Sequence, residues 1–524
     1  MNWKIPSPAS DLLTQLLSNR GIKTKEDIEQ FFNPKLENYD SDLQIPHIDR
    51  ARTRILQAIR KEDLIFVSGD YDVDGICGAA VLYLGLTLAG AKVLPYIPHR
   101  EREGYGLSKI GLDFAKESGA KLVISVDCGI VNFEESDYAK TLGLDLIITD
   151  HHQPLKGKKP AAEVIVHSTK ICGTAVAWCL VKSLISKEEA NDLLDLVAIA
   201  TVADMMPMLG VNRALVKEGL KYLNKTTRVG LLALINESGL NVGAIGSYEI
   251  GHILAPRLNA AGRLESAMDS LRLICTKNKL KAIELARKLG EINIQRKELT
   301  QSALESARLK IKIEDKIHVL WDESWNPGII GLVAGRVADE TGRPTIAMAV
   351  GEVHAKGSAR SVNGLNIVEM IRECSDILVA VGGHPGAAGF TIESKKIVEF
   401  KERMTVLMKD VIEQEKNLEV EAEVESRNLS LGLAKKIAEF APFGLGNPEP
   451  LLVTPNLKLS NLRTVGGDKH LKGKADGIDF IAFGKGDLKE ILGEGTDVSV
   501  VYNLEIDGFN GIEKPQLKVK DLKL

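Results

Sequence analysis

Three aspartates stand at alternate positions in one short stretch of this sequence. Asp70, Asp72 and Asp74 lie between an apolar run and a glycine. Carboxylates so close together repel one another and lose hydration energy on burial, unless a cation or hydrogen-bond donors compensate. The stretch therefore predicts a cation site. The alternative is a capping and turn cluster, because aspartates are also common just before helices.

The same spacing is typical of a calcium loop of the EF-hand type, which requires a bidentate Glu at its twelfth position. Counting from Asp70, the twelfth position is Val81, so the Glu that a calcium loop requires is missing. The flanks differ as well, because residues 64–67 form a short apolar run typical of a buried strand and residues 76–88 are typical of a helix. The remaining interpretation is a unit of strand, carboxylate loop and helix.

Further candidate ligands follow other apolar runs of the chain. They are Asp127, the consecutive Asp150, His151 and His152, and Asp204 at the end of an apolar helical segment. Because ligands bind at the carboxyl ends of strands in open parallel sheets, we expect these positions to converge in space. Carboxylates with one or two imidazoles suit Mn²⁺ or Mg²⁺, whereas zinc sites more often use thiolates or a majority of histidines. So many ligands predict two ions that share a bridging carboxylate.

The elements that must position these residues follow one another along the chain. The predicted divisions are a leader (1–45), a catalytic α/β domain (46–276), a connecting helix (277–315), a second α/β unit (316–414) and a final β domain (415–524). Alternating strand and helix patterns in the catalytic domain indicate a doubly wound sheet. One helix over 279–313 would span about 50 Å, enough to bridge two domains, with Gly290 as a candidate kink. Short alternating runs after residue 415 predict a small antiparallel barrel.

Composition is that of an ordinary soluble protein. The chain has 524 residues, of which 44% are hydrophobic and 26% charged, so several domains with their own cores are expected. Six cysteines lack CxxC spacing, which favours free thiols in a reducing cytoplasm. No signal peptide is predicted, and the longest uncharged stretch, 75–91, is too short and glycine-interrupted for a membrane span.

The net charge of −4 argues against a globally basic nucleic-acid binder. That argument is weak, because bound ions neutralise acidic ligands and phosphates can be gripped locally by Arg and Lys in a groove. If nucleic acid is the ligand, its binding should weaken as the salt concentration rises.

Eight motifs follow one another along the chain. They are Gly-Asp-Tyr-Asp-Val-Asp-Gly (69–75), Val-Asp-Cys-Gly-Ile (126–130), Thr-Asp-His-His (149–152), Thr-Val-Ala-Asp-Met-Met-Pro (201–207), Ala-Pro-Arg-Leu-Asn-Ala-Ala-Gly-Arg (255–263), Lys-Gly-Ser-Ala-Arg-Ser (356–361), Gly-Gly-His-Pro-Gly-Ala-Ala-Gly (382–389) and Pro-Phe-Gly-Leu-Gly-Asn-Pro-Glu-Pro (442–450). In order and spacing they resemble the DHH phosphoesterase superfamily and within it most nearly the RecJ family of bacterial single-strand-specific exonucleases. The resemblance covers the chain beyond about residue 45. It implies two α/β subdomains of the DHH and DHHA1 type, joined by a long helix around a groove, plus a C-terminal OB-type β-barrel.

The resemblance also implies roles for the candidate ligands. Six residues would bind two Mn²⁺ or Mg²⁺ ions: Asp70 and Asp72 one ion, Asp74, His151 and Asp204 the other, and Asp127 both. Asp150 is expected to orient a metal-bound imidazole. His152 and Arg257 are expected to meet the scissile phosphate, with an ordinary exposed histidine as the alternative for His152.

The residues expected to bind the substrate lie in three of these motifs. They are Arg257, Asn259, Arg263, Ser358, Arg360, Ser361, Gly383 and His384. Arginine forks suit phosphates, and small residues permit close backbone approach to an anion. The alternatives are a helix-capping and packing set for Arg257, Asn259 and Arg263, and tight β-turns for the two glycine-rich motifs at 356–361 and 382–389.

Two further features concern substrate handling. Family members often carry His after a tryptophan of the second subdomain, whereas this chain has Asn326 after Trp325, which leaves the role of that loop open. Phe443, His470 and Tyr502 are candidate base-stacking residues of the final domain, with core packing as the alternative for Phe443 and Tyr502.

The function implied by the resemblance is a 5′→3′ exonuclease specific for single-stranded DNA, which releases 5′-mononucleotides by two-metal hydrolysis during recombination and repair. Single-strand-binding protein and a helicase are candidate partners, a monomer is expected, and no membrane is involved. The residues alone indicate metal-dependent phosphoryl hydrolysis in a two-lobed cleft. Two alternatives stay open: a DHH hydrolase of small substrates, and a non-catalytic DNA-binding relative.

Overall fold

The structure is a computed structural model that describes residues 2–6, 11–362, 364–408, 417–508 and 511–524. It forms two compact units, the first made of 1–98, 103–255 and 417–524 and the second of 99–102 and 256–416. The expected boundary between residues 414 and 415 lies outside the described residues. Within the described residues, no helix is long and apolar enough to cross a membrane.

The N-terminal residues are largely helical. Their elements are β1 (Asn2–Lys4), α1 (Leu12–Asn19), α2 (Lys25–Phe32), a 3₁₀ helix (Leu36–Tyr39) and α3 (Asp40–Leu43). Side chains cap both longer helices at their starts: Asp11 accepts from the N–H of Thr14, and Thr24 forms a capping box with Asp27.

Strands and helices then alternate as predicted up to residue 167, and the elements that follow up to residue 254 are all helical. The elements are α4 (Ile48–Lys61), β2 (Leu64–Gly69), α5 (Val73–Leu88), β3 (Lys92–Tyr96), α6 (Lys109–Glu117), β4 (Ala120–Val126), α7 (Phe133–Thr141), β5 (Asp145–Asp150), β6 (Val164–His167), α8 (Gly173–Val181), α9 (Lys187–Asn191), α10 (Leu194–Ala203), α11 (Gly210–Leu223), α12 (Val229–Glu237), α13 (Ser247–Glu249) and a π-helical turn (Ile250–Leu254). The sheet order is β3-β2-β4-β5-β6, with all neighbours parallel. The apolar central strands β2, β4 and β5 are buried, as both faces of a parallel sheet require. Their carboxyl ends carry the candidate ligands to one edge.

The second unit contains the long helix and a mixed sheet. Its elements are α14 (Ala255–Leu264), α15 (Met268–Cys275), α16 (Lys279–Lys310), β7 (His318–Asp322), α17 (Ile330–Thr341), β8 (Thr345–Val350), β9 (His354–Arg360), α18 (Ile367–Arg372), a 3₁₀ helix (Ser375–Ile377), β10 (Leu378–His384), β11 (Ala387–Glu393), a 3₁₀ helix (Ser394–Lys396) and α19 (Ile397–Leu407). The sheet order is β10-β11-β9-β8-β7. Helix α16 has 32 residues, or about 48 Å, and passes through buried Gly290 without interruption, so Gly290 does not divide the helix. Sharp kinks generally need proline, a π-bulge or an inserted group.

The C-terminal residues form a closed barrel in the first unit. Its elements are β12 (Asn417–Glu419), β13 (Ala422–Glu423), a 3₁₀ helix (Ser426–Asn428), α20 (Leu431–Ala438), β14 (Leu452–Val465), β15 (His470–Ala475), β16 (Ile478–Ala482), a 3₁₀ helix (Gly486–Glu490), β17 (Asp497–Asp507) and β18 (Lys514–Lys523). The order β13-β14-β15-β16-β18-β17 closes through pairing of β14 with β17. The predicted barrel is present, but β16 and β18 pair in parallel, so it is not wholly antiparallel.

The N-terminal helices pack into this barrel. Leu16, Leu17 and Phe31 are buried in the same hydrophobic core as the barrel strands. Strand β1 pairs with β12, and the indole N–H of Trp3 donates to Asp521 at 2.9 Å. The segment expected to be a leader of unreadable role is therefore part of the barrel's packing.

Arg213 of α11 joins three parts of the first unit. Its guanidinium is fully buried and donates to the carbonyl oxygens of Phe31 at 2.7 Å, Phe440 at 3.0 Å, Ala441 at 2.9 Å and Pro442 at 3.1 Å. Buried carbonyl groups need such donors. A single side chain thus links α2, the catalytic α/β layer and the segment that leads into the barrel.

All six cysteines are free thiols, as the sequence predicts.

Candidate metal centre and substrate site

The first part of the site is shaped by the start of α5. The Oδ1 atom of Asp72 caps this helix and accepts hydrogen bonds from the N–H groups of Asp74 at 3.0 Å and Gly75 at 3.2 Å. Gly75 packs directly on the preceding loop, because a Cβ there would lie 2.4 Å from the backbone nitrogen and oxygen of Asp70. Capping uses Oδ1 of Asp72 and leaves Oδ2 for a metal ion, so this residue can be both a helix cap and a metal ligand.

Asp74 points from the first turn of α5 to the start of α8. Its carboxylate accepts hydrogen bonds from the N–H groups of Gly173 at 2.7 Å and Thr174 at 2.8 Å. A helix N-terminus favours negative charge, so the start of α8 is a suitable partner for a carboxylate. Gly173 is also required sterically, since a Cβ there would lie 2.7 Å from the Cβ of Asp127.

Asp127 follows β4 directly in a strained backbone conformation. Its φ of 61° is in the left-handed region, which is uncommon for residues other than glycine and concentrates at functional sites. Its N–H donates to the carbonyl oxygen of Thr149 on the neighbouring strand at 3.0 Å, and the residue is only 2% exposed. The sheet therefore holds this carboxylate in one position.

The Nε2 atom of His151 faces three carboxylates. It lies 3.1 Å from Oδ1 of Asp127, 3.6 Å from Oδ2 of Asp74 and 3.6 Å from Oδ2 of Asp204. His151 directly follows β5, and Asp127 directly follows β4. Asp74 lies in the first turn of α5, and Asp204 comes directly after α10. Positions distant in sequence thus converge at the carboxyl edge of the sheet.

The potential ligand atoms form overlapping groups whose members all lie within 4.8 Å of one another. One group consists of Asp74, His151 and Asp204, and another of Asp70, Asp72 and Asp127. A third joins Asp127 to His151 and His152. The structure therefore brings the six expected metal ligands close together, with Asp127 grouped with Asp70 and Asp72 and 3.1 Å from His151.

The cluster is unfavourable when fully ionised without a cation. Burial and the charges of the neighbouring aspartates, Asp74 first, raise the pKa of Asp127 well above its ordinary value. The same two causes raise the pKa of Asp204 to about 8 and raise the pKa of Asp72. Burial lowers the pKa of His151, which favours the neutral imidazole that binds metals.

The donor set fits Mn²⁺ or Mg²⁺. Oδ1 of Asp127 and Oδ2 of Asp204 are buried and accept no hydrogen bond from any residue that the structure describes. Because buried polar atoms normally have partners, these oxygens have ligand capacity left. Oxygen-rich sites with an imidazole are those that Mn²⁺ and Mg²⁺ occupy, and a divalent ion would offset the repulsion described above.

Asp150 holds the ring of His152. Its Oδ1 lies 2.8 Å from Nδ1 of His152, and the same oxygen accepts from the backbone N–H of His151 at 2.7 Å. Its Oδ2 accepts from the N–H of Ile130 at 2.9 Å. The expectation that Asp150 orients the metal-binding imidazole is wrong, because the ring of His151 turns towards Asp127 instead.

His152 is accessible, and its pKa is raised from the ordinary value. Burial lowers its pKa, but the hydrogen bond with Asp150 and the charges of Asp150, Asp204 and Asp70 outweigh that effect and raise it overall. Its side chain is 42% exposed. A partly exposed, positively charged imidazole beside a metal centre can donate to an anionic substrate.

Tyr105 is a site residue that the sequence analysis missed. Its hydroxyl lies 3.1 Å from Nε2 of His152 and donates to the carbonyl oxygen of Asp127 at 3.2 Å. Gly104 and Gly106 on either side both have φ of 84°. The available signal was an aromatic residue between two glycines after β3, at the sheet edge where ligands bind.

Arg257, Asn259 and Arg263 lie together on α14 in the second unit. Nη1 of Arg263 donates to the carbonyl oxygen of Gly328 at 3.3 Å, which packs this helix against the loop before α17. Asn326 shapes the same loop, since its Oδ1 accepts from the N–H of Gly328 at 2.7 Å. The residue that departs from the family pattern is therefore a turn-forming side chain.

Ser358 and Arg360 lie on β9 beside the first turn of α17. A Cβ on Gly331 would lie 3.1 Å from Oγ of Ser358 and 3.5 Å from Nη2 of Arg360. A helix start, a hydroxyl and a guanidinium thus face one another, which suits a phosphate. Burial and the charge of Arg100 lower the pKa of Arg360, and an anion would relieve that repulsion. The sequence analysis did not anticipate Arg100.

Ser361, Gly383 and His384 occupy neighbouring loops of the same sheet. The N–H of Ser361 donates to Gly386 at 2.9 Å and its hydroxyl donates to the carbonyl oxygen of Leu365, so this side chain also serves the loop itself. Gly383 has φ of 141°, and a Cβ there would lie 2.3 Å from a carbonyl oxygen of the facing strand. His384 ends β10 and is exposed.

The candidate base-stacking residues of the barrel differ in exposure. Tyr502 is 0% exposed and its hydroxyl lies 2.7 Å from Oγ1 of Thr454, so the stacking interpretation is wrong for this residue. Phe443 packs against the barrel core. His470 lies edge-on to Phe483, with ring centroids 5.1 Å apart, and Phe483 is 53% exposed. These two rings are on the solvent side.

Known families match three parts of the chain. Residues 64–201 match the DHH family, N-terminal domain; residues 314–412 match the DHHA1 domain; and residues 420–521 match the RecJ OB domain. The single-stranded-DNA-specific exonuclease RecJ of Bacillus subtilis (strain 168) is 34% identical, with 99% of this chain and 70% of the relative covered. The exonuclease of the same name from Thermus thermophilus is 33% identical, with coverages of 96% and 74%.

Solved structures are similar over the same lengths. The crystal structure of RecJ in complex with Mn²⁺ from Thermus thermophilus has a TM-score of 0.87 at 30% identity and covers 100% of this chain and 79% of that chain. The crystal structure of exonuclease RecJ bound to manganese has a TM-score of 0.64 at 35% identity, covering 70% and 96%. The expected fold of DHH and DHHA1 subdomains with a C-terminal OB barrel is confirmed.

Proposed function

Because the chain belongs to the RecJ family of DHH phosphoesterases, we propose that it is a metal-dependent 5′→3′ exonuclease specific for single-stranded DNA. Its cofactors are two Mn²⁺ or Mg²⁺ ions, and its products are 5′-mononucleotides. The observation that carries this proposal is the pair of ligand groups Asp70, Asp72, Asp127 and Asp74, His151, Asp204, with Oδ1 of the buried Asp127 only 3.1 Å from Nε2 of His151.

The proposed ligands divide as the two groups suggest. Asp70 and Asp72 would hold one ion, Asp74, His151 and Asp204 the other, and Asp127 both. When bound, two such ions lower the pKa of a water molecule and neutralise charge on the phosphate during an in-line displacement. The protein's own contribution is a rigid cradle, since α5, α8 and the sheet hold the carboxylates in place before substrate arrives.

His152 is assigned to the scissile phosphate. Asp150 fixes the ring through Nδ1 and raises its pKa. A positioned imidazolium donates to a phosphate oxygen and stabilises the charge that develops there. Arg257 is assigned the same task, because a guanidinium matches phosphate geometry with two donors. Asp150 acts through His152 and is a positioning residue.

The 5′ phosphate is assigned to the second unit. Ser358, Arg360 and the start of α17 form an anion-binding arrangement, and the nearby charge of Arg100 adds to it. Holding the terminal phosphate fixes which bond is hydrolysed, which gives 5′→3′ polarity and mononucleotide products. The remaining proposed substrate contacts are Asn259, Arg263, Ser361, Gly383 and His384.

The protein is further proposed to act as a cytoplasmic monomer, with single-strand-binding protein and a helicase as partners in recombination and repair. Every proposed ligand and phosphate contact comes from one chain, and six free thiols fit a reducing compartment. Light scattering after size-exclusion chromatography tests the monomer, with a stable dimer as the contrary result. Association with purified single-strand-binding protein tests the first partner.

The activity is tested with a DNA strand that bears a 5′ phosphate and a 3′ label, incubated with Mn²⁺ or with chelator. We expect stepwise shortening only when the strand is single and the metal is present. Asp127→Ala should abolish it, whereas Asp137→Ala, an exposed aspartate of α7, should not. Duplex DNA of the same sequence is the substrate control.

Each alternative predicts a different outcome of that experiment. Cleavage of a dinucleotide or pyrophosphate while long strands survive would replace the exonuclease with a small-substrate hydrolase. Binding of the strand with no cleavage of any substrate would identify a non-catalytic relative. Retained activity in Asp127→Ala would refute the metal assignment but not the exonuclease itself.

A further inference from the structure

Two aromatic rings are stacked on the surface of the first unit, outside the metal centre. Tyr248 and His252 lie one turn apart, with ring centroids 4.4 Å apart and planes at 17°. Nδ1 of His252 lies 3.3 Å from the carbonyl oxygen of Tyr248, which fixes the imidazole against the phenol. Tyr248 is nevertheless 58% exposed, and His252 is exposed as well. The pair presents an aromatic surface to solvent.

The backbone at this point is unusual. Tyr248 lies in α13, and His252 lies in the π-helical turn Ile250–Leu254, which connects α13 to α14. π-Helical turns are rare and occur often at functional sites. Five residues after His252 comes Arg257, which is assigned to the scissile phosphate. Surface aromatic pairs also stabilise helices locally, so the stack needs a second observation to indicate a ligand.

The second observation is a lysine of the barrel beside the stack. Nζ of Lys518 on β18 lies 5.8 Å from the centroid of the Tyr248 ring. The same ammonium donates to Oε1 of Glu505 at 2.7 Å, which holds it in place and leaves further N–H donors for another acceptor. A fixed cation next to an exposed aromatic surface is what single-strand-binding sites combine.

Lys518 belongs to a row of paired side chains that crosses the barrel. Arg463 pairs with Lys472, Lys472 with Ile481, and Ile481 with Lys518, on four neighbouring strands. Paired residues share a face, and the alternate residues on β15 and β18 are buried, so this row faces outwards. At about 4.8 Å per strand, the row is about 14 Å long. It leads from the barrel surface to the aromatic pair.

We propose that Tyr248 and His252 form a base-stacking subsite for single-stranded DNA, continuous through Lys518 with the outward row Arg463–Lys472 of the barrel. The inference rests on the proposed function, because it assumes that a single DNA strand is the substrate. The cationic row neutralises phosphates while the stacked pair receives a base. A strand that lies on the barrel is thereby guided towards the catalytic domain.

The test is the affinity of the whole chain for an oligothymidine in excess chelator, measured by fluorescence anisotropy. Because one stacked base contributes roughly 5-fold to 150-fold in affinity, Tyr248→Ala and His252→Ala should each raise Kd within that range. Tyr248→Phe keeps the ring and should bind normally. Leu88→Ala, which removes an exposed apolar side chain at the far end of α5, is the matched surface control.

The cation is tested separately by salt dependence. Lys518→Ala should lower the slope of log Kd against log salt by about 0.7, the value for one phosphate contact on a single strand. Tyr248→Ala should leave that slope unchanged, because stacking releases no counterion. If the slope of log Kd against log salt is the same for Lys518→Ala and for the unmodified chain, Lys518 does not contact a phosphate.

Photocrosslinking gives a readout that misfolding cannot imitate. An oligonucleotide with 5-iodouracil should crosslink to Tyr248 or His252, identified by mass spectrometry of the peptide 247–257. Unchanged Kd in both alanine variants, or crosslinks confined to other peptides, would overturn the subsite. Hydrolysis of the same strand by the unmodified chain with Mn²⁺ reports the proposed function independently. Failure of hydrolysis with a crosslink at Tyr248 would refute the nuclease and keep the subsite.

Discussion

The ring of His152 contacts two groups of different chemistry. Asp150 meets Nδ1 at 2.8 Å, and the hydroxyl of Tyr105 lies 3.1 Å from Nε2 and 3.2 Å from Nδ1. The same hydroxyl donates to the backbone of Asp127, so it ties the ring to the shared metal ligand. Orientation of a catalytic imidazole by such contacts is what fixes its position relative to the reacting phosphate.

Replacement of Tyr105 by Phe tests this positioning. The variant keeps the ring and removes the hydroxyl, so we expect kcat on 5′-phosphorylated oligothymidine to fall roughly 10-fold or more, with a smaller change in KM. Tyr138→Phe is the matched control, because that hydroxyl donates to Asp113 at 2.7 Å away from the metal ligands. An unchanged kcat in Tyr105→Phe would exclude the positioning role.

The raised pKa of Asp204 predicts how stability of the metal-free protein depends on pH. Burial and the charges of Asp74 and Asp72 raise this pKa to about 8, whereas the unfolded chain releases the proton near its ordinary value. The folded state therefore binds more protons between about pH 4 and pH 8, and stability falls as pH rises through that window.

Thermal unfolding in chelator at a series of pH values measures this slope. Asp204→Asn should flatten it, and Mn²⁺ should raise the unfolding temperature more at pH 8 than at pH 5, because protons compete with the ion. The expectation would be contradicted if stability fell more steeply with pH in Asp204→Asn, or if Mn²⁺ raised the unfolding temperature equally at pH 5 and pH 8.

Residue types predicted the metal cluster but not its surroundings. Aspartates and histidines at strand ends are informative because burial of such residues requires a compensating group. Tyr105 and Arg100 have no such signature, since a tyrosine or arginine in a loop is ordinary. The partner of Asp150 was mispredicted for a similar reason: sequence places two histidines side by side but does not give the direction of each ring.

Among the elements, α8 contributes to the site without supplying a ligand side chain. Its first two N–H groups bind Asp74, and its first residue, Gly173, lets the helix approach Asp127. The helix thus sets the distance between the carboxylate of Asp74 and that of Asp127, which is proposed to bind both ions. The sequence gives little sign of this role, because a glycine after a cysteine is unremarkable.

Gly173→Ala is the corresponding element-scale prediction. The added Cβ would lie 2.7 Å from the Cβ of Asp127, so the helix or the carboxylate must shift. We expect at least a 10-fold loss of Mn²⁺ affinity, measured by electron paramagnetic resonance titration, because displaced groups around a metal typically cost that much. Gly432→Ala in α20, where the nearest atom is 3.8 Å away, should bind Mn²⁺ normally. Normal affinity in both variants would refute the steric argument.

Long, periodic elements were the most predictable part of the fold. The helix expected over 279–313 is present as α16, and the strands before Asp127 and Asp150 are where the apolar runs place them. Gly290 does not divide the helix, because a glycine within a packed helix can be held by its neighbours. The parallel pairing of β16 and β18 could not be predicted, since alternation along a strand does not identify its neighbours.

At the scale of the whole molecule, the first unit is assembled from three separated stretches of sequence. Arg213 is its common contact, and burial lowers the pKa of this guanidinium only to about 10, so it remains charged at neutral pH. Its acceptors are backbone oxygens on α2 and on the segment before the barrel. No local pattern predicts such a contact, because each partner is an ordinary peptide group.

Arg213→Met should loosen this assembly. Removal of the guanidinium leaves several buried carbonyl groups without their donor, so we expect a loss of about 3 kcal/mol or more in stability. The measurement is the thermal unfolding midpoint together with limited proteolysis of the segment 20–45. Arg287→Met, at a side chain that is 76% exposed, should leave both unchanged. Equal protection from protease in the two variants would contradict the role of Arg213.

The packing of the N-terminal helices into the barrel has a consequence for synthesis on the ribosome. Trp3 and its partner Asp521 are 518 residues apart, which at ordinary elongation rates is about 25 to 100 s of translation. Helices as short as α1 and α2 are marginal in water by themselves. Leu16 and Phe31 therefore stay exposed until the last strands of the barrel have been synthesised. The beginning of this chain is among the last parts to reach its final place, and chaperones have that whole interval in which to bind it.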